Sequence, residues 1–188
     1  GLSSWRVFGY FFALGLAFMF IEIAFIQKFI LFLHHPLYAV AVVLAAFLLF
    51  AGFGSAFSKR YCQDGRNVKG ILMAVIGIIL FGLLYILLLG PTFSLILDWP
   101  SMIKIGIAIL FIAPLAFFMG MPFALGLGLL GNRAEPLIPW AWGINGCASV
   151  LSAVLATLLA IHFGFTVVVV LALLLYGVAA LIMSTDSY

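Results

Sequence analysis

Six apolar runs, each long enough to cross a bilayer, follow one another with only short polar punctuation between them. A hydrocarbon core is roughly 30 Å thick and an α-helix rises about 1.5 Å per residue, so about 20 apolar residues make one crossing. The first run extends from Val7 to Ile26, or on to Leu33, before His34-His35-Pro36, and the second from Leu37 to Phe57. A polar loop, Ser58 to Lys69, precedes the third run, Gly70 to Leu89, whose end is expected at Gly90-Pro91. A connection containing Asp98-Trp99-Pro100 leads to the fourth run, Ile103 to Leu130, which Pro114 and Pro122 interrupt. After a loop from Gly131 to Pro139 come the fifth run, Trp140 to Phe163, and the sixth, Phe165 to Met183. A transmembrane β-barrel needs alternating segments of about ten residues, and none is legible. The expected fold is all-α: a single polytopic domain over residues 1–188, built as a bundle of about six transmembrane helices.

Composition closes off the soluble alternatives. Only 7% of the residues are charged and 68% are hydrophobic, against the roughly 25% charged residues usual in a soluble domain. The net charge of +3 does not point to nucleic acid, because the eight Lys and Arg form no basic face. Cys62 and Cys147 are far apart, one in a polar loop and one in an apolar run, and read as free thiols. With six crossings, Arg6, Lys59, Arg60, Arg66, Lys69 and Arg133 share one side, leaving Lys28 and Lys104 on the other. By the positive-inside rule both termini are expected in the cytoplasm. Trp5, Trp99, Trp140 and Trp142 fall near helix ends, where an aromatic belt sits. The chain starts at Gly1 rather than a methionine, and its first run is too long and wrongly flanked for a signal peptide. A fragment or a processed chain is the expectation.

Glu22 is the one acidic residue well inside an apolar run. A charged side chain at a helix centre costs roughly 2.5–3.5 kcal/mol on insertion scales, so this carboxyl must be protonated, paired or facing a wet cavity. One reading is a cation or proton site, with Gln27 and Lys28 near it; the other is a structural pair with Lys28 or Lys104. Lys28 lies six residues on, which turns it away from Glu22 on the helix and disfavours a pair within it. Lys28 is expected to snorkel to the interface.

The fourth run combines Pro114, Gly120 and Pro122, so a kinked or broken helix is expected there. A break can expose backbone to a substrate or merely shape packing. In the fifth run Asn145, Ser149, Ser152 and Ala156 line one helix face, a stripe suited to close packing and less so to binding a ligand. Gly126-Leu-Gly128-Leu-Leu-Gly131 matches GxGxxG formally, as Gly52-Phe-Gly54 does in part, but neither follows a strand, so neither reads as a nucleotide site. No metal site is expected at His34-His35 or at the isolated His162. No nucleophile, base and acid come together for intramembrane catalysis, because Asp64, Asp98 and Asp186 lie in loops or at the terminus.

Three stretches resemble a known family. GLAFMFIEIAFIQKFILFLHHPLYAV, FMGMPFALGL and PWAWGINGCASVLSAVLA are similar to the membrane region of large bacterial multi-pass proteins that carry a fused spermidine synthase-like (aminopropyltransferase-like) domain. The family often has Pro where Ala124 stands and Gly where Ser152 stands, departures that bear on local helix geometry. The resemblance implies a bacterial inner membrane and polyamine-related cargo or anchoring. The soluble catalytic domain of that family has no counterpart in these residues, so no catalytic residue is carried over and no cofactor is expected.

Two functions follow as expectations. One is a non-catalytic structural subunit or membrane anchor, with the lipid bilayer and other membrane subunits or a soluble domain as partners and no nucleic acid. The other is a transporter-like domain moving a small solute, cationic in its sharpest form. A water-filled cavity reaching Glu22 favours the second, and a Glu22 sealed against a neighbouring helix favours the first.

Overall fold

In the computed structural model, residues 3–33, 35–63, 66–96 and 99–184 are described, and among them every element is helical. His34, Asp64, Asp98 and Asp186 lie outside the described residues. The helices are α1 (Ser4–Leu33), α2 (Pro36–Gln63), α3 (Asn67–Leu95), α4 (Ser101–Met119), α5 (Met121–Arg133), α6 (Ile138–Phe163) and α7 (Phe165–Ser184), with a 3-10 turn over Glu135–Leu137 before α6. With α4 and α5 counted as one broken span, six segments are long and apolar enough to cross a membrane. This is a multi-pass membrane protein.

Two boundaries differ from the sequence expectation. Most of the Ser58–Lys69 loop is helix: α2 runs on to Gln63 and α3 begins at Asn67. Charged residues ended the apolar runs on paper, but long basic side chains at a helix end extend into the headgroup region while the backbone stays helical. Arg60 lies in the last turn of α2, its guanidinium 5.1 Å from the Phe57 ring centroid one turn back. The third helix does not stop at Gly90-Pro91 but continues through Pro91 to Leu95. A proline removes one backbone donor, a local loss that a helix in lipid tolerates when other groups re-satisfy the backbone.

The α1 helix is the centre of the bundle. It packs against α2, α4, α5, α6 and α7, and its buried side chains, among them Tyr10, Phe11, Ala17, Ile21, Phe25 and Phe29, cover more than half of its circumference. Neighbouring contacts fix the directions of the crossings. Arg6, at the start of α1, donates to the Ile182 carbonyl at the end of α7 (2.8 Å), so these two helices are antiparallel. Asn145 and Ser152 of α6 bond to Phe11 and Leu16 of α1 in ascending order, so that pair is parallel. Gly128 near the end of α5 faces the Cys62 thiol at the end of α2. One end of the bundle therefore gathers Arg6, Lys59, Arg60, Arg66, Lys69 and Arg133.

Lipid chains are as apolar as the helices, so helix association in a bilayer relies on close packing, favoured where side chains are small. Backbones meet directly in two places. A Cβ at Gly54 of α2 would lie 1.8 Å from the Phe117 carbonyl oxygen, and one at Gly120 would lie 2.0 Å from that of Ala51. Each glycine thus accommodates the other helix's backbone, and α2 is pinned to the α4–α5 break. In the second place, a Cβ at Gly15 would lie 2.6 Å from the Asn145 carbonyl oxygen, which sets α6 close to α1, though less tightly. Gly52, two residues from Gly54, has open space where a Cβ would go. Gly54→Ala is therefore expected to destabilise the fold by ~1–3 kcal/mol, the range for forced overpacking, while Gly52→Ala leaves it unchanged. Thermal unfolding of the two variants in detergent measures the difference.

Candidate functional site

Glu22 lies just past the middle of α1 and is 4% exposed. Its side chain forms part of the wall of a cavity of about 520 Å³ bounded by α1, α2, the α4–α5 break, α6 and α7. On α1 the cavity extends from Leu14 to Glu22, about 12 Å at 1.5 Å per residue, around the midpoint of the helix. Met119 and Gly120 contribute the broken helix, Asn145 and Ser149 the α6 stripe, and Tyr176 the α7 wall. Several features read separately from the sequence therefore surround one space.

The other sequence-derived candidates are placed elsewhere or do different work. Gln27 and Lys28 are half-buried farther along α1, and neither lines the cavity. The Lys28 ammonium sits 5.6 Å from the Phe165 ring centroid, and that of the buried Lys104 lies 5.7 Å from the Phe32 centroid. Such cation–π contacts serve both lysines, and among the described residues neither pairs with Glu22. Pro114 remains inside α4, and the break falls at Gly120, with Pro122 in the first turn of α5. Ser152 and Ala156 are fully buried against the core, and Ser152 donates to the Leu16 carbonyl (2.8 Å). His35 is exposed, its ring 5.8 Å from that of Tyr38.

Proline in α4 and α5 loosens the backbone ladder, and tyrosines from other helices bond to carbonyls in these stretches. Tyr10 of α1 donates to the Pro122 carbonyl (2.7 Å), and Tyr85 of α3 donates to the Phe111 carbonyl, three residues before Pro114. Tyr176 is buried on the cavity wall that Glu22 also lines. Sequence reasoning passed over all three tyrosines. The signal was present, since a phenol deep in an apolar run must find a partner for its O–H.

The remaining wall is aromatic and soft: Phe18 and Met19 of α1, Met119 and Phe123 at the break, and Trp142 of α6. Phe123 and Trp142 meet edge to face, ring centroids 4.8 Å apart. An acid among ring faces suits a cation, which the carboxylate attracts by charge and the rings by their quadrupoles. Polar groups beside Glu22 already serve the backbone: Asn145 donates to the Phe11 carbonyl (3.2 Å), and Ser149 to the Asn145 carbonyl (2.9 Å).

Tyr10→Phe keeps the ring and removes only the bond to Pro122. The expected loss is about 0.6 kcal/mol and no more than about 1.7, the range measured for hydrogen bonds between transmembrane helices. Equilibrium unfolding in mixed micelles gives the value.

Comparison of the chain with protein-family models, with curated proteins and with solved structures finds no match in any of the three.

Proposed function

We propose that the chain is a membrane domain that binds a small cationic solute, or a proton, in its mid-bilayer cavity, with Glu22 as the charged group, and that it acts in the manner of a transporter domain. The observation that carries this reading is the position of Glu22. It lines a cavity that extends along the middle of the membrane-spanning α1 helix. Binding at the midplane beside a discontinuous helix is the arrangement of many secondary transporters, and an intramembrane acid is by default a functional group.

The alternative is a structural subunit or anchor. It draws on α6, which buries only Ala141, Ala148, Ser152 and Ala156 and leaves the rest of its surface outward. A partner helix or a soluble domain would then supply the activity, in line with the resemblance to membrane regions fused to spermidine synthase-like domains. Glu22→Gln separates the two readings, because it keeps the shape and removes the charge. Under the cavity reading, proteoliposomes of the variant lose at least ten-fold in amine uptake or proton flux, with the unfolding temperature within a few degrees of wild type. Under the anchor reading, the same change shifts stability or assembly and leaves no separate transport defect.

The reading includes a bacterial inner membrane with both termini in the cytoplasm. Support comes from the six basic residues gathered at one end of the bundle against Lys28 and Lys104 at the other. Cys62 sits at the basic end and Cys147 on the outward face of α6. In a Cys147→Ser background, an impermeant maleimide is expected to spare Cys62 in intact cells and to label it in inside-out vesicles. Efficient labelling from outside inverts the orientation.

A further inference from the structure

The cavity opens sideways. Leu48 on α2 and Trp142 on α6 both line it, yet they are 68% and 58% exposed on the outer surface. Gly52, also on the lining, is exposed and has open space at its Cβ position. The α2 and α6 helices make no substantial contact with each other, so a gap between them leads to Glu22. Because the cavity is centred on the middle of α1, this mouth meets acyl chains and not headgroups. A solute using it must first dissolve in the bilayer.

The lining limits the charge of that solute. Glu22 is its only ionisable carboxyl or base, so a second positive charge on the ligand would be left unpaired in a medium of low dielectric. Among the described residues no three His, Cys, Asp or Glu side chains come together to hold a metal ion. Rings of Phe18, Phe123, Trp142 and Tyr176, with Met19 and Met119, instead offer apolar surface for a hydrocarbon body.

Building on the cation-binding reading above, we propose that the ligand is a membrane-partitioned monoamine, carrying one basic nitrogen and an alkyl or aryl body, which enters from the bilayer between α2 and α6. Each partner reaches the site neutral. One proton then passes from the Glu22 carboxyl to the amine nitrogen, leaving a carboxylate–ammonium pair with no net charge, and its return releases the neutral amine. A diamine of similar size fits less well because its second nitrogen has no acid, and a short hydrophilic amine lacks both the route and the apolar contacts.

The test uses the full chain in nanodiscs and three probes: N,N-dimethyloctylamine, dimethylamine, which lacks the octyl body, and octane-1,8-diamine, which has an eight-carbon body and a second basic nitrogen. Radiolabelled N,N-dimethyloctylamine is expected to bind saturably, with the other two competing at least ten-fold more weakly. Glu22→Gln should weaken binding at least ten-fold. Gly52→Phe, which places a ring in the mouth, should do the same with the unfolding temperature unchanged, and Leu48→Trp serves as a second obstruction should Gly52→Phe misfold. Equal or tighter competition by dimethylamine or the diamine overturns the monoamine assignment, as does binding that survives Glu22→Gln. Binding and entry rates unaffected by both mouth variants overturn the lateral route. If the diamine or dimethylamine binds in a Glu22-dependent way, the cation site stands and this inference alone falls. If no probe depends on Glu22, both fall.

Discussion

Helices in a bilayer have no hydrophobic reason to leave lipid for one another, so the places where backbones touch decide how this bundle is assembled. Two such places matter. The reciprocal Gly54 and Gly120 contacts lock α2 onto the broken fourth span, and Gly15 brings α6 onto α1. Once α6 is held by α1 and α2 by the α4–α5 break, nothing draws α2 and α6 together. The gap between them is a consequence of where the glycines lie, and Glu22 sits at its base.

The break in the fourth span contributes in a second way. Proline leaves backbone carbonyls poorly served, and in a medium without water they need donors from the protein. Tyr10 and Tyr85 donate from α1 and α3 to carbonyls in the same stretches, those of Pro122 and Phe111, although the carbonyls that Pro114 and Pro122 leave without an i+4 donor are Leu110 and Phe118. The same two bonds tie the broken span to its neighbours, so irregular backbone beside a cavity is held in place by named partners. Near the break, Phe118 fills the place that a side chain at Gly77 would take, its ring atoms 2.6 Å from a Cβ built there. Small residues on α3 thus make room for the large ones on α4.

Much of this was legible in the residues. Period and length of the apolar runs gave the six crossings, because bilayer thickness is an external ruler that fixes helix length. Glu22, Gly120 and Asn145 stood out because polar side chains and helix breakers are costly in lipid and therefore rare there. Helix ends were misread, at Ser58–Lys69 and at Gly90-Pro91, because polarity marks where lipid stops and not where a helix must stop. The tyrosines were missed since phenols count as apolar in a hydropathy window. The glycine contacts were invisible for a different reason: Gly52 and Gly54 look alike in sequence, and only the path of α4 past one of them tells them apart.

The chemistry of the polar groups around Glu22 bears on why an acid is there at all. Asn145, Ser149, Ser152, Tyr10 and Tyr85 all donate, and every one of them donates to a backbone carbonyl. That pattern is what helix packing in lipid calls for, since carbonyls at breaks and close crossings are the acceptors in need. An ionised carboxylate contributes nothing to it, because it accepts and the carbonyls accept as well. Were Glu22 a packing residue, the neighbouring donors would be expected to turn towards it. Instead they are committed to the backbone, and the Tyr176 phenol is the hydroxyl that shares the cavity wall with Glu22. Under the cation-binding reading proposed above, a protonated amine in the cavity would bring an ionised Glu22 both a donor and the opposite charge.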